Sequence, residues 1–307
     1  MARVRIVDDL VTEFRERRPI RAGSLIITVY GDAIAPRGGT VWLGSLIQLL
    51  EPLGLSQRLV RTSVYRLSKE GWLTSEQVGR RSYYSLTRAG WRSFEKAYRR
   101  VYAEPHQDWD GEWTLVIANE VPNGEREAVR KELTALGFGT VAPGVLAHPA
   151  PSHEMLAASL QDLDVQGDII IMHARNDGLA TSRPLNRLVR DVWNLEALSA
   201  EYEQFLERFR PVYRALKSAR RLDPGQCFLV RTLLIHEGRR LMLRDPQLPE
   251  DVLPSDWEGS AARLLTRNLY QLTYALAERH LSSMLQTADG PLPEPAPYFY
   301  RRFGGLS

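Results

Sequence analysis

Residues 56 to 87, SQRLVRTSVYRLSKEGWLTSEQVGRRSYYSLT, restrict the fold more than any other part of the chain. At about 100° per residue, Val60, Val64 and Leu67 fall on one side of a helix, with Leu59 at its edge. Arg58, Arg61, Thr62, Tyr65 and Lys69 fall on the opposite side. Ser56 is placed to cap this helix. Two strand-like pieces, WLTSEQV and SYYSLT, follow and flank GRR. Gly79 permits the turn and puts Arg80 and Arg81 at its tip. A helix that packs with one face and offers cations, a hydroxyl and a phenol with the other, followed by an arginine-tipped hairpin, is the pattern of a winged helix-turn-helix. The helix face suits the DNA major groove: arginine can bond guanine edges, Thr62 and Tyr65 can reach phosphates or thymine methyls, and Lys69 can sit on the backbone. The hairpin, with Arg80 and Arg81, suits phosphates or the minor groove beside it.

The flanking sequence supplies the rest of such a domain, over 20–103. AGSLIITVYGDAIAP (22 to 36) reads as a core helix, although its β-branched residues leave a strand open. GTVWL (39 to 43) reads as a short strand and SLIQLLEPLGL (45 to 55) as a second helix, with Ser45 as its cap and Pro52 and Gly54 as its turn. TRAGWRSFEKAYRRVY (87 to 102) closes the domain as a helix. Charge agrees with this division. Residues 56–100 hold eleven Lys or Arg against three Asp or Glu, whereas 104–307 hold 22 against 28, although the net charge of the chain is only +3. A basic front on an acidic body implies a polyanion partner for the front alone.

After a polar linker, AEPHQDWDGE, the periodicity changes. EWTLVIANEV (112 to 121) reads as a buried strand, GEREAVRKELTALGF (124 to 138) as an amphipathic helix, and FGTVAPGVLAHP (138 to 149) as two short strands. SHEMLAASLQDL (152 to 163) reads as a helix capped by Ser152, and GDIIIMHAR (167 to 175) as a final buried strand. That order, βαββαβ over 110–176, is ferredoxin-like, a superfold too versatile to specify a function. From 183 to 285 the chain reads as helices: one long or two over LNRLVRDVWNLEALSAEYEQFLERFRPVYRALKSA, a mainly apolar one over 227 to 243, and a last one over 260 to 285. The Pro-rich loop DPQLPEDVLPSDWEG separates the last two. The tail from Pro291 reads as coil. The expected class is therefore multidomain α+β, with a helical domain over 183–290 for dimerisation and effector binding.

The chain resembles the PaaX family, the repressors of phenylacetic acid degradation operons in bacteria. The likeness rests on SLIITVYGDAIAPRGGTVWLGSLI and RLVRTSVYRLSKEGWLTSEQVGRRSYYSLTRAG in front, FGTVAPGVLAHP in the middle, and HEGRRLMLRDPQLPEDVLPSDWEG behind. The last block is the most specific, with Asp245, Pro246, Leu248, Pro249, Pro254, Trp257 and Gly259. The resemblance implies a homodimeric repressor that binds an imperfect palindromic operator in double-stranded DNA and leaves it when phenylacetyl-CoA, or a related acyl-CoA, binds. Such a thioester needs an apolar pocket and a few cations. His236, Arg239, Arg240 and Arg244, with Trp257, offer that mixture, and His173 and Arg175 form a second cluster. Pairing of these arginines with Asp245, Glu250, Asp251 or Asp256, and packing of Trp257 into its loop, are the structural alternatives.

Other classes find less support. There is no G-x-S-x-G element, and Cys227 lies in an apolar helix where a thiol is usually inert. His148 with His153, or Asp108 with Asp110, make no metal set without distant ligands. No cofactor, metal or catalytic residue is expected. An acyl-CoA enzyme, or a DNA binder without an effector, are the alternatives. No apolar run reaches the roughly 18 residues that span a bilayer. The N-terminal stretch lacks the pattern of a signal peptide. A single cysteine allows no intrachain disulfide, which points to the reducing cytoplasm.

Overall fold

The first helix, α1 (Arg5–Glu16), was not evident in the sequence reading, yet it buries Val7, Leu10, Val11 and Phe14 at helical spacing. The computed structural model describes residues 3–17, 19–103, 109–165, 168–176 and 182–306. Residues 104–108 of the expected linker lie outside the described residues. The chain forms two compact units. One comprises 1–103, 205–240 and 262–307, and the other comprises 104–204 and 241–261. Both are mixed helix and antiparallel sheet.

In the first unit, α2 (Ala22–Val29) is a helix, so the strand alternative falls. Burial of Leu25, Ile26 and Val29 overrides the β preference of the run. The helix widens into a π turn over Tyr30–Ile34 and ends in a 3-10 turn over Ala35–Arg37, with Gly38 left-handed at φ 90°. β1 (Thr40–Trp42) runs directly into α3 (Leu43–Leu50). Ser45 is therefore not the cap expected of it. Trp42 occupies the N-cap without a side-chain bond, and Ser45 Oγ donates back to the Trp42 carbonyl at 2.8 Å. A 3-10 turn (Glu51–Leu53) and left-handed Gly54 lead to α4 (Gln57–Lys69). β2 (Leu73–Val78) and β3 (Arg81–Leu86) follow, then α5 (Arg88–Tyr102) with Thr87 as its cap. The three strands are ordered β1-β3-β2 and are antiparallel.

The C-terminal part of this unit closes on the π turn. Asp32, buried, accepts from Arg231 Nε at 2.7 Å, Tyr102 OH at 2.8 Å, Tyr270 OH at 2.9 Å and Arg302 Nη1 at 3.0 Å. Arg231 also bonds Glu278, which pairs in turn with Arg37. The guanidinium of Arg302 stacks 4.0 Å from the centroid of the Tyr102 ring. Arg302 belongs to a 3-10 segment, Pro297–Gly304, in the tail expected to be coil. A buried carboxylate with four donors and two guanidinium partners is compensated, whereas alone it would be prohibitive.

In the second unit, β4 (Glu112–Ile117), β5 (Gly139–Ala142), β6 (Val145–His148) and β7 (Ile170–Arg175) form one antiparallel sheet ordered β5-β6-β4-β7. α6 (Asn123–Ala135) and α7 (His153–Asp162) connect them. Ser152 caps α7 by accepting from Met155 N at 3.3 Å. Successive residues of a strand face opposite sides. Val116 and Leu146 join the cluster that holds Leu133 of α6 and Leu160 of α7. Trp113 and Ala147 join a second cluster with Val189 of α8 (Ser182–Val192), Leu248 and Val252. β7 departs from expectation. Four consecutive apolar residues, Ile169 to Met172, suggested a buried strand, but β7 is an edge strand, and Ile170, Ile171 and Met172 are 57, 44 and 50% exposed. The long helical run is two helices, α8 and α9 (Leu195–Ser218), parted at Trp193–Asn194, where Asn194 has φ 47°. α10 (Pro224–Met242) and α11 (Glu258–Met284) complete the order.

Candidate nucleic-acid interface

α4 owes its start to Ser56, whose Oγ accepts from Leu59 N at 3.3 Å. Its orientation comes from Val60, Val64 and Leu67, all buried. The opposite side is open: Arg58, Arg61, Thr62, Tyr65 and Lys69 are exposed, and so is Arg66. These side chains are partly ordered by one another. Thr62 Oγ1 donates to the Arg58 carbonyl at 3.0 Å, and Lys69 Nζ lies 5.5 Å from the centroid of the Tyr65 ring. With the Gln57 amide turned to satisfy both groups, its oxygen accepts from Arg61 Nη2 at 3.1 Å and Nε at 3.2 Å. Arg66 pairs with Glu70 one turn on, which sets it apart from the others.

The hairpin turn is Gly79-Arg80, since Val78 pairs with Arg81. Gly79 adopts φ 61°, the left-handed conformation that such a two-residue turn demands. Arg80 is exposed at the tip. Arg81 turns back: its guanidinium covers the Trp42 ring at 4.3 Å, and Nη1 donates to Gln286 at 3.2 Å. Past Leu73 every residue of β2 is exposed, while β3 anchors the hairpin through Tyr83 and Leu86.

The residues expected at an effector site divide between the two units. In the first, His236 is buried, its Nδ1 3.0 Å from Thr28 Oγ1. Burial, together with Arg239, Arg240 and Arg17, pushes its pKa down to about 3, so the ring is neutral. Arg239 Nη2 donates to the Ser24 hydroxyl at 2.7 Å and carbonyl at 3.0 Å, and Arg240 is exposed. Burial lowers the pKa of Arg239, and its Nε is buried without a partner among the described residues. In the second unit, His173 Nδ1 lies 3.0 Å from Glu112, and Arg175 pairs with Asp110 at 2.7 Å. Arg244 pairs with Glu201, and Trp257 meets the Tyr202 ring edge-on at 5.6 Å. Tyr202 OH in turn donates to Asp245 at 2.7 Å. The structure thus joins His236 to Arg239 through α2, His173 to Arg175 through Glu112, and Arg244 to Trp257 through Glu201–Tyr202. The Asp32 cluster was missed, and its one sequence signal is a carboxylate inside the apolar run IITVYGDAIA.

The chain matches three family models: PaaX-like protein over residues 21–90, PaaX protein central Cas2-like domain over 106–185, and PaaX-like protein C-terminal domain over 193–283. It is 39% identical over 290 residues to the transcriptional repressor PaaX of Escherichia coli (strain K12), covering 94% of this chain and 92% of that protein. The chain belongs to the PaaX family. The exposed face of α4 and the β2–β3 hairpin lie within the first PaaX match, and β7 lies within the Cas2-like one. A solved structure of an uncharacterized protein from Mycobacterium tuberculosis aligns with a TM-score of 0.50 at 22% identity, over 77% of this PaaX-family chain and 88% of that one. That likeness concerns the fold alone.

Proposed function

We propose that the chain is a DNA-binding transcriptional repressor of an aromatic-acid, phenylacetate-type catabolic operon, acting in the cytoplasm without catalysis of its own. The observation that carries this reading is the outward row Arg58, Arg61, Thr62, Tyr65 and Lys69 on a helix whose other face is buried. Its 39% identical relative is a transcriptional repressor, which supports the regulatory role. The succession α3, turn, α4 and β2–β3 hairpin supports a winged helix-turn-helix: Arg58, Arg61, Thr62 and Tyr65 enter the major groove, Lys69 and Arg80 hold the backbone, and Arg81, turned over Trp42, braces the hairpin. The order β5-β6-β4-β7 supports a ferredoxin-like reading of the central sheet.

The repressor acts as a homodimer on a palindromic operator. The outer edge of β7, with Ile170, Ile171 and Met172 exposed, supports a second copy as the partner that covers it. Phenylacetyl-CoA or a related acyl-CoA is the effector. Arg239 is the residue best suited to an anionic group of such a ligand, because its half-buried guanidinium has serine oxygens but no carboxylate partner among the described residues. A ligand releases DNA only through its different affinity for the DNA-competent and DNA-free states.

The test is fluorescence anisotropy at fixed salt with DNA from upstream of the protein's own and neighbouring genes, with and without phenylacetyl-CoA. Sequence-specific binding released by the thioester is the expected result. Specific binding insensitive to it removes the effector and keeps the repressor. Absence of specific binding overturns the repressor reading.

A further inference from the structure

α5 carries a second cationic face. Its packed side is Gly90, Trp91, Phe94, Tyr98, Val101 and Tyr102: a Cβ on Gly39 would meet the Trp91 ring at 2.8 Å, and one on Gly31 would meet Phe94 at 3.2 Å. At helical spacing Arg88, Arg92, Lys96 and Arg99 fall within about 80° of arc away from that side, and all four are exposed. One acid, Glu95, lies among them. Arg88 and Arg92 form no ion pair among the described residues.

Two ordinary explanations for surface cations fail at these positions. The α5 backbone does not call for them: Arg88 is the first residue of the helix and Arg92 lies one turn on, where the dipole favours anions, and no acid stands in the first turn. The comparably basic end of α9, with Arg214 and Lys217, is accounted for by that effect, because it lies at a helix C-terminus. Nor do Arg88 and Arg92 neutralise a carboxylate among the described residues. The start of α5 is also fixed beside the end of α4. Thr87 N donates to the Trp72 carbonyl at 3.1 Å, and the Thr87 hydroxyl donates to the Gly71 carbonyl. This junction sets Arg88, the residue after Thr87, next to the C-terminal end of α4, where Lys69 is the last residue.

We infer that Arg88 and Arg92, extended by Lys96, form a second contact with DNA phosphates, which lengthens the footprint of α4 along the duplex without reading bases. This inference rests on the DNA-binding reading of α4. The experiment measures operator affinity of the full-length protein against salt concentration for wild type, the double variant Arg88→Gln/Arg92→Gln, and Arg88→Lys/Arg92→Lys. Each lost phosphate contact lowers the slope of log affinity against log salt by about 0.9, so the glutamine pair should lose about 1.8 of slope. Its affinity should fall roughly tenfold per contact at 0.1 M salt, with base preference unchanged, and the lysine pair should retain the slope. A glutamine pair with wild-type slope and affinity overturns the inference while leaving the repressor reading intact. An affinity loss at unchanged slope also overturns it, because damage to the fold rather than a lost phosphate would be responsible. A wild type that binds no operator DNA marks failure of the functional reading itself.

Discussion

Asp32 and Arg231, 199 residues apart in sequence, form a buried ion pair with Nε 2.7 Å from Oδ2. Burial raises the carboxyl pKa, but Arg231, Arg302 and the hydroxyls of Tyr102 and Tyr270 outweigh it, and the net shift is downward. Asp32→Asn would leave two guanidinium groups buried against a neutral amide. A loss of about 3 to 5 kcal/mol is expected, measured by urea denaturation at pH 7. Because the folded pKa is depressed, the contribution is present above the unfolded value near 4 and fades as pH falls through the folded one. The difference between wild type and Asp32→Asn should therefore persist to about pH 4 and shrink only in stronger acid.

His236 makes an opposite demand on the same unit. Its ring is neutral when folded, with a pKa of about 3, and titrates near the ordinary value of 6.5 when unfolded. Below that value the unfolded chain binds a proton that the folded chain refuses, so stability falls with pH at up to about 1.4 kcal/mol per unit. Between about pH 6.5 and 5.5, well above the carboxylate values near 4, carboxylates contribute little. Denaturation midpoints across that window should fall less in His236→Gln than in wild type, and equal slopes would remove His236 as the cause.

Arg61 should discriminate bases. Arg61→Ala is expected to weaken operator binding by about 1 to 3 kcal/mol and to relax preference at one base pair, read by anisotropy with a set of single-substitution operators. Uniform weakening at every operator would assign Arg61 to the phosphates instead.

Arg239 separates effector from DNA. Arg239→Gln should leave operator affinity near that of wild type and raise the phenylacetyl-CoA concentration needed for release by about tenfold or more, the scale of a charged hydrogen bond. An unchanged release curve would remove Arg239 from the effector site.

The edge of β7 is tested by Met172→Lys. A charge on the exposed strand should convert dimer to monomer in sedimentation equilibrium, since lysine on an edge blocks strand pairing. A dimer unaffected by the change would place the interface elsewhere.

Much of the local architecture was legible because its causes are local. Ser56, the 3.6-residue period of Val60, Val64 and Leu67, and Gly79 in its turn each carry their own signal. Ser45 misled because a serine at a helix start can bond backward from inside the first turn as well as cap it. α1 was overlooked because its four apolar residues sit among charges, and several of its partners are remote in sequence, such as Gln226 on Asp8, 218 residues away. β7 misled because four apolar residues in a row look alike in a central strand and at an edge, and only the sheet order distinguishes them. At the interface, periodicity indicated which side chains point outward. It could not indicate that Arg81 would fold back over Trp42, or that Arg239 would meet no carboxylate among the described residues, because those facts depend on side chains from distant segments.

The Asp32 cluster also bears on synthesis. The ribosome delivers Asp32 199 residues before Arg231 and 270 before Arg302, so while the first 199 of these are made the carboxylate has neither guanidinium. Helix α4 thus emerges before two of the charged partners that complete the core of its own unit. A nascent chain that has not yet reached Arg231 therefore holds Asp32 without either of the guanidinium groups that compensate it in the folded unit.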